Sequence, residues 1–149
     1  MNIGVLKKKI NKLFIVREDD GSYNLFGKFT IVPVNNLYKV LNLNEEKTYM
    51  FSSLKNAVTY CVFEKNNKKK ETNRIIDLDE SIGSLEMQIL QYIRLLKKAN
   101  DSNKEIYSAK ITECKHKRAL AIKELERYIN DSKYYQTREF KENQQISSE

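Results

Sequence analysis

From Ile75 to Leu96 the apolar positions Ile75, Leu78, Ile82, Leu85, Ile89, Tyr92 and Leu96 recur at alternating steps of three and four. That is the spacing of coiled-coil core positions. A second run, Tyr107, Ile111, Cys114, Ala121, Leu125 and Tyr128, keeps the same period; Arg118 interrupts it, and Ile122 and Ile129 reinforce it. Between the two lies Asn100-Asp101-Ser102-Asn103. Asn suits a left-handed helix C-terminus, and Ser102 followed by Glu105 has the form of a capping box. The pattern predicts a long antiparallel helical hairpin over 68–131. Its first helix should start between Thr72 and Asp79, and a polar C-terminal tail should follow over 132–149.

Upstream the period changes. Leu13 to Val16 is β-prone, Glu18-Asp19-Asp20-Gly21 carries the Asp-Gly hairpin signal, and Tyr23 to Val34 alternates in part before Pro33, which belongs at a strand end or edge. Asn35-Asn36 turns the chain into Leu37 to Leu41, and a further polar turn leads to Thr48 to Phe51. Ser52 or Ser53 can then cap a helix whose Leu54, Ala57, Val58, Cys61 and Val62 form an apolar stripe. The reading is α+β: a small three- to four-stranded antiparallel sheet with one covering helix, as a basic domain over 1–67, followed by the hairpin. The polar joint at Lys65 to Lys70 is the expected boundary. Asn2 to Lys12 carries no decisive pattern.

Charge adds an asymmetry. The net charge is +7, and residues 1–75 hold 14 Lys and Arg against 7 Asp and Glu, whereas 76–149 hold 13 of each. A basic first half points to an anionic partner or to solubility. Cys61 and Cys114 are too few for a disulfide framework and read as reduced, buried thiols. No run approaches the roughly 18 apolar residues that span a bilayer. Lys7, Lys8, Lys9 and Lys12 break any signal-peptide core. The expectation is a cytoplasmic protein that makes no membrane contact.

Catalytic constellations do not emerge. His116 lies two positions from Cys114, about 200° apart on a helix, so the two cannot form a nucleophile pair. One histidine with two distant cysteines fits no zinc spacing, and phosphate-cradling or nucleophile-elbow motifs do not occur, so neither metal nor cofactor is expected. Asp77, Asp79, Glu80 and Glu86 read as helix-start and outer-face carboxylates, and Glu18, Asp19 and Asp20 as turn residues. Two lysine-rich clusters, Lys7, Lys8, Lys9 with Lys12 and Lys65, Lys68, Lys69, Lys70 with Arg74, flank strands rich in Tyr and Phe. That composition suits non-specific nucleic-acid binding.

The run Ser22-Tyr23-Asn24-Leu25-Phe26-Gly27-Lys28-Phe29, then Phe51-Ser52-Ser53-Leu54-Lys55-Asn56-Ala57, then Asn73-Arg74-Ile75-Ile76, resembles small uncharacterised proteins of marine tailed phages over residues 20–130. The resemblance implies a viral setting, in the host cytoplasm or the virion, and assigns no catalytic or binding residue.

Length decides the leading expectation. A helix from Ile75 to Asn100 extends about 38 Å, beyond the roughly 28 Å diameter of a 70-residue globule, and Ile76, Leu90, Ile93 and Leu95 widen its apolar surface beyond one stripe. The chain therefore reads as a non-enzymatic interaction or structural protein. It would associate with itself or another protein through Leu85, Ile89, Ile93, Leu96 and Leu125. The alternative is a nucleic-acid-binding accessory protein using Lys7, Lys8, Lys9, Lys68, Lys69, Lys70 and Arg74.

Overall fold

The computed structural model describes residues 15–43 and 45–148. The sheet is an antiparallel meander of five strands in sequence order: β1 (Ile15–Arg17), β2 (Tyr23–Leu25), β3 (Phe29–Val34), β4 (Leu37–Asn42) and β5 (Lys47–Phe51). The Asp-Gly signal does form the first hairpin. Asp20 accepts from the Ser22 amide and hydroxyl at 2.9 and 2.6 Å, and Gly21 takes φ +87°. The stretch expected as one strand from Tyr23 to Val34 is two, because Phe26 and Gly27 both adopt left-handed backbone (φ 55° and 67°) and fold β2 back onto β3. Asn35 and Asn36, at φ 49° and 66°, make the two-residue β3–β4 turn, in which two left-handed residues match the twist of the paired strands. Pro33 pairs only toward β4, past the end of β2, where its missing N–H costs no ladder bond.

Cross-strand partners share a face. Leu25, Phe29 and Asn42 form one row, Tyr23, Ile31, Val40 and Tyr49 the next, and Tyr38 and Phe51 a third. This face is the buried one.

Helix α1 (Leu54–Lys65) lies on it, capped by Ser53, whose hydroxyl accepts from the Asn56 amide at 3.1 Å. The expected single stripe understates its burial. Asn56, Ala57 and every residue from Thr59 to Phe63 are buried, because the helix is enclosed between the sheet and the two long helices. Tyr60 is its centre, with ring centroids 5.1 Å from Tyr49, 5.3 Å from Phe51 and 6.4 Å from Phe29.

Two helices complete the chain, α2 (Lys69–Lys98) and α3 (Asp101–Ser148). The hairpin is as the spacing predicts, with three differences at its ends. Helix α2 begins at Lys69, earlier than the Thr72–Asp79 window, because a left-handed Asn67 (φ 57°) turns the chain at once and the Lys68 amide donates to Phe63 O at 3.0 Å. The turn uses no left-handed Asn. Ala99 is extended, and Asn100, not Ser102, caps α3, its side-chain oxygen accepting from the Asn103 amide at 3.1 Å and from the Ser102 hydroxyl at 2.9 Å. Finally, α3 continues through the segment read as a tail, to Ser148.

The core crosses the expected 67/68 boundary. Ile75, Leu78, Ile82 and Leu125 of the hairpin pack in one cluster with Leu25, Phe29, Ile31, Val40, Phe51 and the buried face of α1. The joint at Asn66 to Lys68 is thus a turn between helices that share a core.

Candidate docking face of the helical hairpin

Along the seam, α2 and α3 bury two separate apolar clusters. The first belongs to the main core and includes Ile82 and Leu125; the second, farther out, consists of Ile89, Ile111 and Cys114, bordered by Leu85, Tyr92, Ile93 and Leu96. The Tyr92 and Tyr107 rings meet at 6.3 Å, and the Cys114 thiol lies 3.7 Å from the Gln88 side-chain oxygen. Half-buried Arg118 occupies α3 between the clusters, where a continuous stripe would have placed an apolar residue.

This geometry corrects the expected interface. Ile89 and Leu125 are 5% and 4% exposed, closed over within the chain, while Leu85, Ile93 and Leu96 are half-buried around Ile89. The 3-4 period of α2 is satisfied by the matching period of α3, so the seam itself is no longer available.

What remains is the neighbouring stripe. Ile76, Asp79, Gly83, Glu86, Leu90, Ile93 and Lys97 keep the same alternating spacing, beginning one residue after the seam and hence rotated about 100° from it. Its inner part is covered. Ile76 packs on the main core, and Asp79 accepts from the Ser52 amide, the Ser52 hydroxyl and the Asn56 side-chain amide at 3.2, 2.8 and 2.7 Å, which ties α2 to the start of α1. Asp79 is therefore a buried hydrogen-bond hub, not the solvated helix-start carboxylate of the sequence reading; a carboxylate in the eleventh position of the helix also lies beyond reach of its own N-terminus.

Beyond Asp79 the cover thins: Gly83 and Ile93 are half-buried, Ile93 against the outer cluster, and Glu86, Leu90 and Lys97 are exposed. From Asp79 to Lys98 the helix extends a further 28 Å or so at 1.5 Å per residue. Leu90 on this outer stripe is 50% exposed, and Met87, three residues before it on the helix, is exposed as well.

The basic candidates are only partly free. Lys7, Lys8 and Lys9 lie outside the described residues. Lys69 stands 3.6 Å from Glu45 and 3.5 Å from Glu64; burial alone would lower its pKa, but the two carboxylates outweigh that and hold it above the ordinary value. Arg74 pairs with both carboxylate oxygens of Glu124, at 2.5 and 2.7 Å. Lys68 and Lys70 face solvent. The aromatics expected between the clusters are occupied as well: Phe29 is buried, Tyr23, Phe26, Tyr38 and Tyr49 pack against the core, and Lys65 lies 4.2 Å over the Phe26 ring.

An open groove of about 590 Å³ lies where α1 ends against α2 and α3. Lys70 and Arg74 alternate around it with Glu71, Asp77 and Asp131, so its wall selects no ligand charge. Among the described residues, no group of three or more His, Cys, Asp and Glu is placed to hold a metal ion, and no helix is long and apolar enough to cross a membrane.

Sequence reasoning missed Tyr60 and Phe63 in the core, Asp79 as a hub, and the second stripe that carries both Glu86 and Lys97. Only the last had a readable signal, the seam spacing displaced by one residue. No family model, curated protein or solved structure matches this chain.

Proposed function

We propose that this chain is a non-enzymatic interaction protein whose sheet and α1 brace a projecting helical hairpin, and that the hairpin docks protein partners on the outer stripe of α2. The observation that supports the reading is the thinning of cover along the stripe beyond Asp79. Inward of it the stripe is packed or hydrogen-bonded, and outward of it Leu90 is half exposed while Ile93, packed on one side against the outer cluster, stays partly open. Exposed apolar side chains in line along a rigid element are the usual anchor of a helix-to-helix contact. With the resemblance to small tailed-phage proteins, we read the setting as an infected cell or a virion.

The test is site-specific photo-crosslinking in cells, with a photoreactive residue at Leu90 and a control at the exposed Lys123 of α3. A discrete crosslinked species from position 90 and none from 123 is expected. Equal or absent crosslinking at both positions rejects the docking role.

A further inference from the structure

We infer that the partner on this stripe is a second copy of the chain, paired antiparallel about a two-fold axis between Leu90 and Ile93; this rests on the docking reading above. The argument is one of register. The midpoint between Leu90 and Ile93 is also the midpoint between Glu86 and Lys97, and all four share the stripe. A two-fold antiparallel contact about that point sets Leu90 of each copy against Ile93 of the other. It sets Glu86 of each copy against Lys97 of the other at the same time, so one apolar pair and one ion pair each occur twice, as an isologous interface requires.

Charge also selects the direction. A parallel pairing would stack Glu86 on Glu86 and Lys97 on Lys97, two repulsions in place of two attractions. Neither residue has an ion-pair partner within its own chain among the described residues, so each is free to make the pair. Backbone approach is eased at one end by Gly83, where an added Cβ would meet nothing within 4 Å. The contact is short, a few helical turns, which places the dimer among weak, concentration-dependent interfaces.

The experiment is light scattering of the purified full chain at low salt, from about 10 to 200 micromolar. The wild type is expected to shift toward dimer across that range. Glu86→Lys and Lys97→Glu, each alone, carry two like-charge contacts per dimer and are expected to associate about tenfold more weakly. An equimolar mixture of the two variants restores both attractions in the heterodimer, and its dimer fraction is expected to return to the wild-type level. That recovery cannot come from altered folding of either variant. A wild type that stays monomeric throughout overturns the second-copy assignment, as does a dimer whose single variants associate unchanged or whose mixture fails to recover. If the Leu90 photo-crosslinker captures a different protein while the purified chain is monomeric, the docking role stands and only the self-pairing is wrong.

Discussion

The side-chain amide of Asn56 on α1 donates to a carboxylate oxygen of Asp79 on α2 at 2.7 Å, and both residues are buried. This contact, with the two from Ser52 to the same carboxylate, closes the start of α1 onto the flank of α2. It marks the level at which the braced part of the hairpin ends.

Removing that carboxylate strands the donors that point at it. Asp79→Ala is expected to lower stability by roughly 2–3 kcal/mol, the cost of leaving the buried Asn56 donor unmade together with the lost charge-assisted bonds from the exposed Ser52. Asp79→Asn keeps one acceptor and is expected to lose roughly half as much. Urea unfolding of the three proteins measures this, and an alanine variant as stable as wild type would show that Asp79 holds nothing together.

Gly83 sits in the interior of α2 in helical backbone, with open space where a Cβ would stand. Gly83→Ala therefore adds no clash and removes unfolded-state freedom, and it is expected to raise stability by about 0.5–1 kcal/mol. A rise in thermal midpoint, measured at a concentration low enough to exclude association, checks it. A fall would mean that the flank is more crowded than the geometry allows.

The Arg74–Glu124 pair joins α2 to α3 across fifty residues of sequence. The hydrogen bond from Arg74 holds the Glu124 carboxyl below its ordinary value of 4.5. A carboxylate depressed in the folded state contributes stability at pH above its unfolded value and loses it as pH falls through the folded one. Wild type and Glu124→Gln are thus expected to differ in thermal midpoint near neutral pH and to converge as pH drops below 4.5. The pair is solvent-facing, so the difference should also shrink in salt. Parallel pH curves for the two proteins would contradict the assignment.

Cys61 and Cys114 are both buried, but in different clusters. Burial pushes the Cys61 thiol well above its ordinary pKa, and it lies in the main core; Cys114 lies in the small outer cluster, where opening the hairpin end is enough to expose it. Timed labelling with a thiol reagent under native conditions is expected to modify Cys114 before Cys61. The reverse order would place the weak point of the fold in the sheet and α1 instead of the hairpin end.

The sequence alone determined what local physics and period determine. The α+β architecture, the Asp-Gly and Asn-Asn turns, a serine cap at Ser52 or Ser53 and the hairpin of matched 3-4 stripes follow from backbone preferences and from which side of an element is apolar. The tertiary structure decided which surfaces meet. Whether α1 presented one stripe or was enclosed depended on the hairpin returning across it, and Tyr60 became the centre of the core only because Phe29 of β3 and Tyr49 and Phe51 of β5 converge on its ring. Asp79 reads in sequence like its solvated neighbours Asp77 and Glu80, and became a buried hub because Ser52 and Asn56 arrive from another element. Arg74 reads as part of a free basic cluster until Glu124 closes on it from fifty residues away. In each case the deciding partner is remote in sequence, and a remote partner leaves no mark on local spacing or composition.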